Sequence, residues 1–207
     1  MSTILLTGFA PFGGCQTNPS QQIAEHLHGE VIGGAQIIGV ILPVVMGQDA
    51  DRLTAAIADH KPKIVLSLGL AAGATCLEVE RFAVNLRVTD PGDPSRLMEP
   101  NLPQSVIIAD GVCGLSATLD AERMADAIRK AGVPARAHGY AGAYACNHIL
   151  YQALHYAMQW DLSYRAGFIH LPLSSEQAVA ENKIHLPSLP LDKMTAGVRA
   201  AIEEALL

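Results

Sequence analysis

A cysteine, Cys146, stands at the end of a small-residue turn, Gly139–Asn147 (GYAGAYACN), and a helix-like pattern begins directly after it. A thiol is a useful nucleophile only as thiolate, and a helix N-terminus or a neighbouring imidazolium stabilises that form. The glycine and alanines of the turn leave room for a substrate carbonyl. The first N–H groups of the following helix lack intrahelical acceptors and can hold an oxyanion. A second segment, Gly167–Pro172 (GFIHLP), ends an apolar, strand-like run in His170, a candidate general base. A third, Glu80–Asn85 (ERFAVN), sets Glu80 between the apolar flanks Val79 and Phe82–Val84, where a carboxylate needs a partner. Cysteine, histidine and carboxylate are the parts of a thiol-dependent acyl-transfer enzyme. Each residue also has an ordinary reading: Cys146 as a buried core thiol, His170 as a hydrogen-bonded core histidine, Glu80 facing outward on an edge strand.

The opening loop, Thr7–Ser20 (TGFAPFGGCQTNPS), lacks the Gly-Lys-Ser/Thr ending of a phosphate loop and the GxGxxG spacing, which argues against nucleotide binding. It holds Phe9 and Phe12, two of the four phenylalanines in the chain. Aromatic residues on a glycine-rich loop suit the apolar walls of a small, flat ligand site, with satellite core packing as the alternative. Of the eight histidines, His148 is nearest Cys146, but residues two apart on a helix do not face each other. His26, His28, His60, His155 and His185 read as helix-surface or loop residues.

Positioning these groups requires strands that end near one another. Strand-like runs at Thr3–Thr7, Ala35–Leu42, Lys63–Gly69, Ala135–Gly139 and Ala166–Leu171 alternate with helical patterns. The helices are expected after Asn18-Pro19 to about Leu27, over Asp49–His60, from an Asp120 cap to Ala131, after Cys146, and over Asp192–Leu207. Leu86–Gly114, rich in proline, glycine and aspartate, is expected to be a long excursion or short hairpins. The alternation predicts an α/β fold: one three-layer α/β/α domain over residues 1–207 with a mostly parallel, mixed central sheet. In such sheets reactive groups gather at the carboxyl ends of strands, where Gly8, Gly69, Gly139 and His170 all fall.

With half of its 207 residues hydrophobic and 16% charged, the chain can bury a sizeable core. Its net charge of −6 is scattered, which excludes a nucleic-acid footprint and gives no attraction to anionic lipid. The N-terminus lacks the basic and long apolar regions of a secretory signal. The longest uncharged apolar run, Ile64–Leu77, is too short to span a membrane. Four cysteines without CxxC spacing suggest neither a zinc knuckle nor a redox pair, and a cytoplasmic protein with reduced thiols is expected.

Taken in order, TGFAPFGG…NPS, LPV…G near Leu42, GLAAG at Gly69, ERFAVN, AGAYACN and GFIHLP resemble the motifs of the pyrrolidone-carboxylate peptidases (pyroglutamyl peptidase I), from Thr7 to Pro172. The resemblance implies a phosphorylase/hydrolase-like α/β fold and a cysteine peptidase that removes an N-terminal pyroglutamate. It further implies a triad with Cys146 as nucleophile, His170 as base and then acid, and Glu80 orienting the imidazole. Phe9 and Phe12 would flank the lactam ring, Asn18 would help shape the pocket, and Leu70 would stand in the substrate loop. Implied too are small peptide substrates with a blocked N-terminus, no metal, no cofactor, and a homo-oligomer, either tetramer or dimer.

The chain departs from the family pattern at several positions. Leu70 replaces the usual glutamine, Tyr140 a small or hydroxyl residue, and His138 a common serine. The segment Leu86–Pro94 (LRVTDPGDP) lacks the family's arginine motif, Arg87 being the nearest arginine. Two further readings follow: a divergent thiol amidohydrolase for another small cyclic or N-blocked amide, and a non-catalytic small-ligand binder on the same fold. A phosphorylase-like role would want an anion site, for which there is no basic or phosphate-loop signature.

Overall fold

A computed structural model describes residues 2–88, 97–98 and 105–207. In chain order its elements are β1 (Ser2–Phe9), α1 (Pro19–Leu27), β2 (Val31–Ile32), β3 (Ala35–Leu42), β4 (Val45–Met46), α2 (Gln48–His60), β5 (Ile64–Leu70), β6 (Leu77–Glu80), β7 (Phe82–Val84) and β8 (Leu97–Met98). They continue with β9 (Gly114–Ser116), α3 (Ala121–Lys130), β10 (Ala135–His138), α4 (Ala145–Gln159), β11 (Arg165–Leu171), β12 (Leu173–Ser174), α5 (Ser175–Ala180), β13 (Ser188–Leu189) and α6 (Leu191–Ala205). Seven strands form the central sheet in the order β10-β6-β11-β5-β1-β3-β2. Its middle is parallel: β3, β1, β5 and β11 all run the same way. β6 runs antiparallel to β11 and parallel to β10, which makes the sheet mixed.

The strands bury both faces. Ile4 and Leu6 of β1, Ile64, Leu66 and Leu68 of β5, and Ile169 and Leu171 of β11 pack on one side with α1, α3 and α6. Leu5 and Phe9, Val65, Ala166 and Phe168 pack on the other with α2 and α4. Period-2 alternation with apolar residues at both phases is what turns Lys63–Gly69 into a continuous hydrophobic run, and it produces the three layers. The predicted α/β architecture is therefore observed.

Local chemistry fixes the helix starts. The Asn18 side chain accepts from the Ser20 N–H, with Pro19 at the first helical position of α1. Asp120 accepts from the N–H groups of Glu122 and Arg123 at the start of α3. Part of the Leu86–Gly114 excursion lies outside the described residues. Its flanks are tied together, β7 pairing antiparallel with β9, and β8 within it pairs in parallel with the distant β4, so the described part is a long excursion and shows no short hairpin. The edge-strand alternative for Glu80 fails: β6 lies between β10 and β11, and Glu80 is 1% exposed. No helix among the described residues is long and apolar enough to cross a membrane.

Candidate active site

The carboxyl ends of β5, β6 and β11 meet the N-terminus of α4. Cys146 is the second residue of α4, and the N-cap residue Tyr144 gives that helix no side-chain capping hydrogen bond. Its first N–H groups therefore have no acceptor within the helix, beside the thiol. Two devices hold this corner. Gly142, at φ +80°, takes a left-handed turn that a side chain would strain. Asn147 is wholly buried; it accepts from the Val84 N–H at 2.9 Å and donates to the Val84 and Leu86 carbonyls at 2.9 and 3.1 Å, stapling α4 to β7.

Register brings the histidine alongside. His170 is the cross-strand partner of Gly69, and a methyl group on Gly69 would sit 2.7 Å from Cys146 Sγ and 2.7 Å from the Phe168 ring. The thiol thus lies against Gly69, next to the imidazole. The Phe168 ring packs on His170 with centroids 4.8 Å apart. His170 Nδ1 donates to Glu80 Oε1 at 2.6 Å, which leaves Nε2 for the Cys146 side. Burial alone would weaken the ring's hold on its proton. The charge and hydrogen bond of Cys146, then those of Glu80, act the other way and hold His170 up to about 10. A thiolate beside an imidazolium, with helix N–H groups that lack an intrahelical acceptor in the same corner, can attack an acyl carbon and hold the oxyanion that forms.

One mutation tests this packing. Gly69→Ala must displace the thiol or the Phe168 ring. It is expected to lower stability by roughly 1–3 kcal/mol and to slow alkylation of Cys146, read by denaturant melts and by the iodoacetamide rate.

The thiol opens on a cavity of about 800 Å³ that Phe9, Phe12, Leu70, Tyr140, Tyr144 and His138 help to line, so the residues expected around a substrate share one space. Asn18 is 1% exposed and does not reach the cavity wall. Its amide donates to the Ala10 carbonyl at 3.2 Å and its oxygen accepts from the Ser20 hydroxyl at 2.8 Å, so it shapes the phenylalanine loop from behind.

Two groups that sequence reasoning set aside prove to be organised. His148, 1% exposed, places Nδ1 3.0 Å from Asp49 Oδ1, and its Nε2 lies 3.4 Å from an Arg87 nitrogen. Arg87, 3% exposed, is thus buried against His148 of α4 and does not line the cavity; burial weakens its hold on its proton while the Asp49 charge strengthens it. Cys15 is half-buried at the cavity rim. It donates to Glu181 at 3.2 Å and accepts from Lys183 at 3.4 Å. Burial first, then the Glu181 carboxylate, pushes its thiol up, so Cys15 holds its proton more tightly than an ordinary thiol.

Glu78, Glu80 and His170 present ligand atoms within 4.8 Å of one another, the arrangement a cation would require. Those atoms already have protein partners: Arg136 holds Glu78, and imidazoles hold Glu80. His138, to which sequence analysis gave no role, supplies one of those imidazoles.

The family model described as pyroglutamyl peptidase matches residues 2–207. The pyrrolidone-carboxylate peptidase of Mycobacterium tuberculosis is 36% identical over 212 residues, covering 100% of this chain and 93% of that protein. The enzyme of that name from Escherichia fergusonii is 36% identical over 209 residues, covering 100% and 94%. Among solved structures, pyrrolidone carboxyl peptidase from Pyrococcus furiosus superposes with a TM-score of 0.90 at 32% identity, covering 99% of this chain and 98% of that one. The Thermococcus litoralis protein gives 0.90 at 32%, covering 100% and 94%. Motif order, sheet topology and whole-length similarity agree: this chain belongs to the pyroglutamyl peptidase family of cysteine peptidases.

Proposed function

We propose that this protein hydrolyses the amide bond after an N-terminal pyroglutamate through Cys146, His170 and Glu80. The observation that carries the reading is the Cys146 thiol, packed on Gly69 and hydrogen-bonded to a His170 that Glu80 holds at 2.6 Å, facing a cavity walled by Phe9 and Phe12. The Cys146 thiolate adds to the carbonyl that links pyroglutamate to the next residue. The Ala145 and Cys146 N–H groups receive the oxyanion. The C–N bond breaks as His170 gives its proton to the leaving amine, and a thioester remains on Cys146. His170, now neutral, takes a proton from water, whose oxygen attacks the thioester and releases pyroglutamate and the thiolate.

Phe9 and Phe12 flank the flat lactam, and Leu70 adds an apolar surface where relatives carry an amide. The substrates are small peptides with a blocked N-terminus. The chain works as a homo-oligomer in a reducing compartment, where its four free cysteines persist. The test is turnover of pyroglutamyl-aminomethylcoumarin by the reduced protein, expected at a kcat/KM on the order of 10⁴ M⁻¹s⁻¹ or more. Leu70 and Tyr140 in the cavity wall favour one second reading, a thiol amidohydrolase for another small cyclic amide. No turnover of the pyroglutamyl substrate, with Cys146 still rapidly alkylated, would select it.

The reading also fixes a pH dependence. His170 must enter the reaction as imidazolium, and its proton is held to about pH 10. The alkaline limb of kcat/KM is therefore expected well above the roughly 6.5 of an ordinary histidine, nearer pH 10, as a property of the coupled Cys146–His170 pair. Glu80→Gln removes one of the charges that hold the proton, so the limb moves down in pH. An alkaline limb near 7 in the wild type would contradict the ion pair.

A further inference from the structure

Glu80 is a carboxylate with 0% of its side chain exposed, held between two imidazoles. His170 Nδ1 donates to Oε1 at 2.6 Å, and His138 Nδ1 lies 2.9 Å from Oε2 and 3.2 Å from Oε1. The two rings come from the strands on either side of β6. His138 is the register partner of Glu80 across the parallel β10–β6 pair. Two residues back on the same face of β10, Arg136 is the partner of Glu78 and its Nε donates to that carboxylate at 3.0 Å. The β10 edge thus presents two successive basic side chains to two successive carboxylates of β6. The first rung pins the strands, and the second ends on the group that orients His170.

Taking Cys146, His170 and Glu80 in the roles proposed above, we infer that His138 is a positioning residue of the active site, acting through Glu80. A buried carboxylate is tolerated when both oxygens are hydrogen-bonded. His170 satisfies Oε1, and His138 supplies the donor for Oε2. With both oxygens engaged, the carboxylate plane is fixed and the Nδ1–H of His170 meets a stationary acceptor. Loss of the His138 donor leaves Oε2 seeking a partner; the readiest is the His170 N–H, and the carboxylate turns away from its productive orientation. His138 is 36% exposed at its side chain and lines the cavity, so its replacement costs little packing.

The test compares His138→Ala, His138→Leu and His138→Asn, alone and in the Glu80→Gln background. Asparagine places an amide N–H close to the position of Nδ1. Two readouts are taken: kcat and KM for pyroglutamyl-aminomethylcoumarin, and the rate at which iodoacetamide alkylates Cys146 at neutral pH. His138→Ala and His138→Leu are expected to lower kcat on the order of ten-fold, the worth of a hydrogen bond to a charged group, with KM within about two-fold. His138→Asn should restore most of the loss, and neither apolar change should matter further once Glu80 is glutamine.

An unchanged kcat in both apolar variants would overturn the inference. So would an equal loss in the Glu80→Gln background, or a rise in KM alone, which would make His138 a substrate contact. Circular dichroism identifies any variant that does not fold, and the two apolar variants back each other up. The alkylation rate needs no substrate. If the wild type fails to turn over the pyroglutamyl compound while alkylation still falls in His138→Ala and recovers in His138→Asn, the substrate assignment fails and the role of His138 stands.

Discussion

Cys146→Ala is expected to lose at least about 10⁴-fold in turnover of a pyroglutamyl substrate, with melting temperature unchanged or slightly raised. The mechanism has no second nucleophile. Cys15 keeps its proton against the Glu181 carboxylate, and burial first, then the Glu78 charge, pushes the Cys76 thiol up. Folding does not need the thiol, because Cys146 packs on a glycine and faces a cavity. The substitution also removes an unfavourable site for the protein: a charged pair held in a partly desolvated corner. A second effect follows on the neighbour. The thiolate is the leading influence that holds the His170 proton, so in Cys146→Ala the imidazole should titrate distinctly lower, measurable by NMR. Turnover that survives at a tenth of the wild-type rate would remove Cys146 from the mechanism.

His170→Ala is the second large loss, on the order of 10³–10⁴-fold in kcat/KM. It takes away three contributions together: the partner that stabilises the thiolate, the acid for the leaving amine, and the base for the deacylating water. Because the leaving amine is poor, the acid step should weigh most. Substrates with an activated leaving group, such as a p-nitrophenyl ester, should therefore lose less than the peptide. Glu80→Gln should cost roughly 10²-fold, since it mispositions the imidazole without removing its proton-transfer chemistry. Equal losses for ester and peptide in His170→Ala would contradict general-acid catalysis by this residue.

Much of this site was legible because its parts announce themselves locally. Asn18-Pro19 and Asp120 carry their own capping chemistry, and the structure starts α1 and α3 where those residues stand. The continuous apolar run at Lys63–Gly69 has one economical explanation, a strand covered on both faces. Cys146 was marked by small residues before it and helical spacing after it.

What the sequence did not disclose depends on which strands lie side by side. β6 enters the sheet between β10 and β11, strands that follow it by more than 50 residues, and nothing local encodes that neighbour or its direction. Hence Glu80 could not be separated from an outward edge carboxylate, and His138 looked like a substituted serine rather than a second ring on Glu80. Arg87 was open for the same reason. Arg87 follows β7 and Asp49 lies on α2, and the buried His148 ring of α4 contacts both. The six-residue α5 is too short to show a period, and its cap at Ser174 was one of many serines.

The central claim is that pyroglutamyl transfer passes through the Cys146 thiolate. The measurement that bears on it most directly follows turnover of pyroglutamyl-aminomethylcoumarin by reduced wild-type protein while iodoacetamide is added in sub-stoichiometric steps, with each cysteine-containing peptide quantified by mass spectrometry. The account predicts activity that falls in direct proportion to carboxymethylation of Cys146, with Cys15 and Cys76 largely unmodified at the end. Full activity with Cys146 carboxymethylated, or loss that tracks another cysteine, would contradict it.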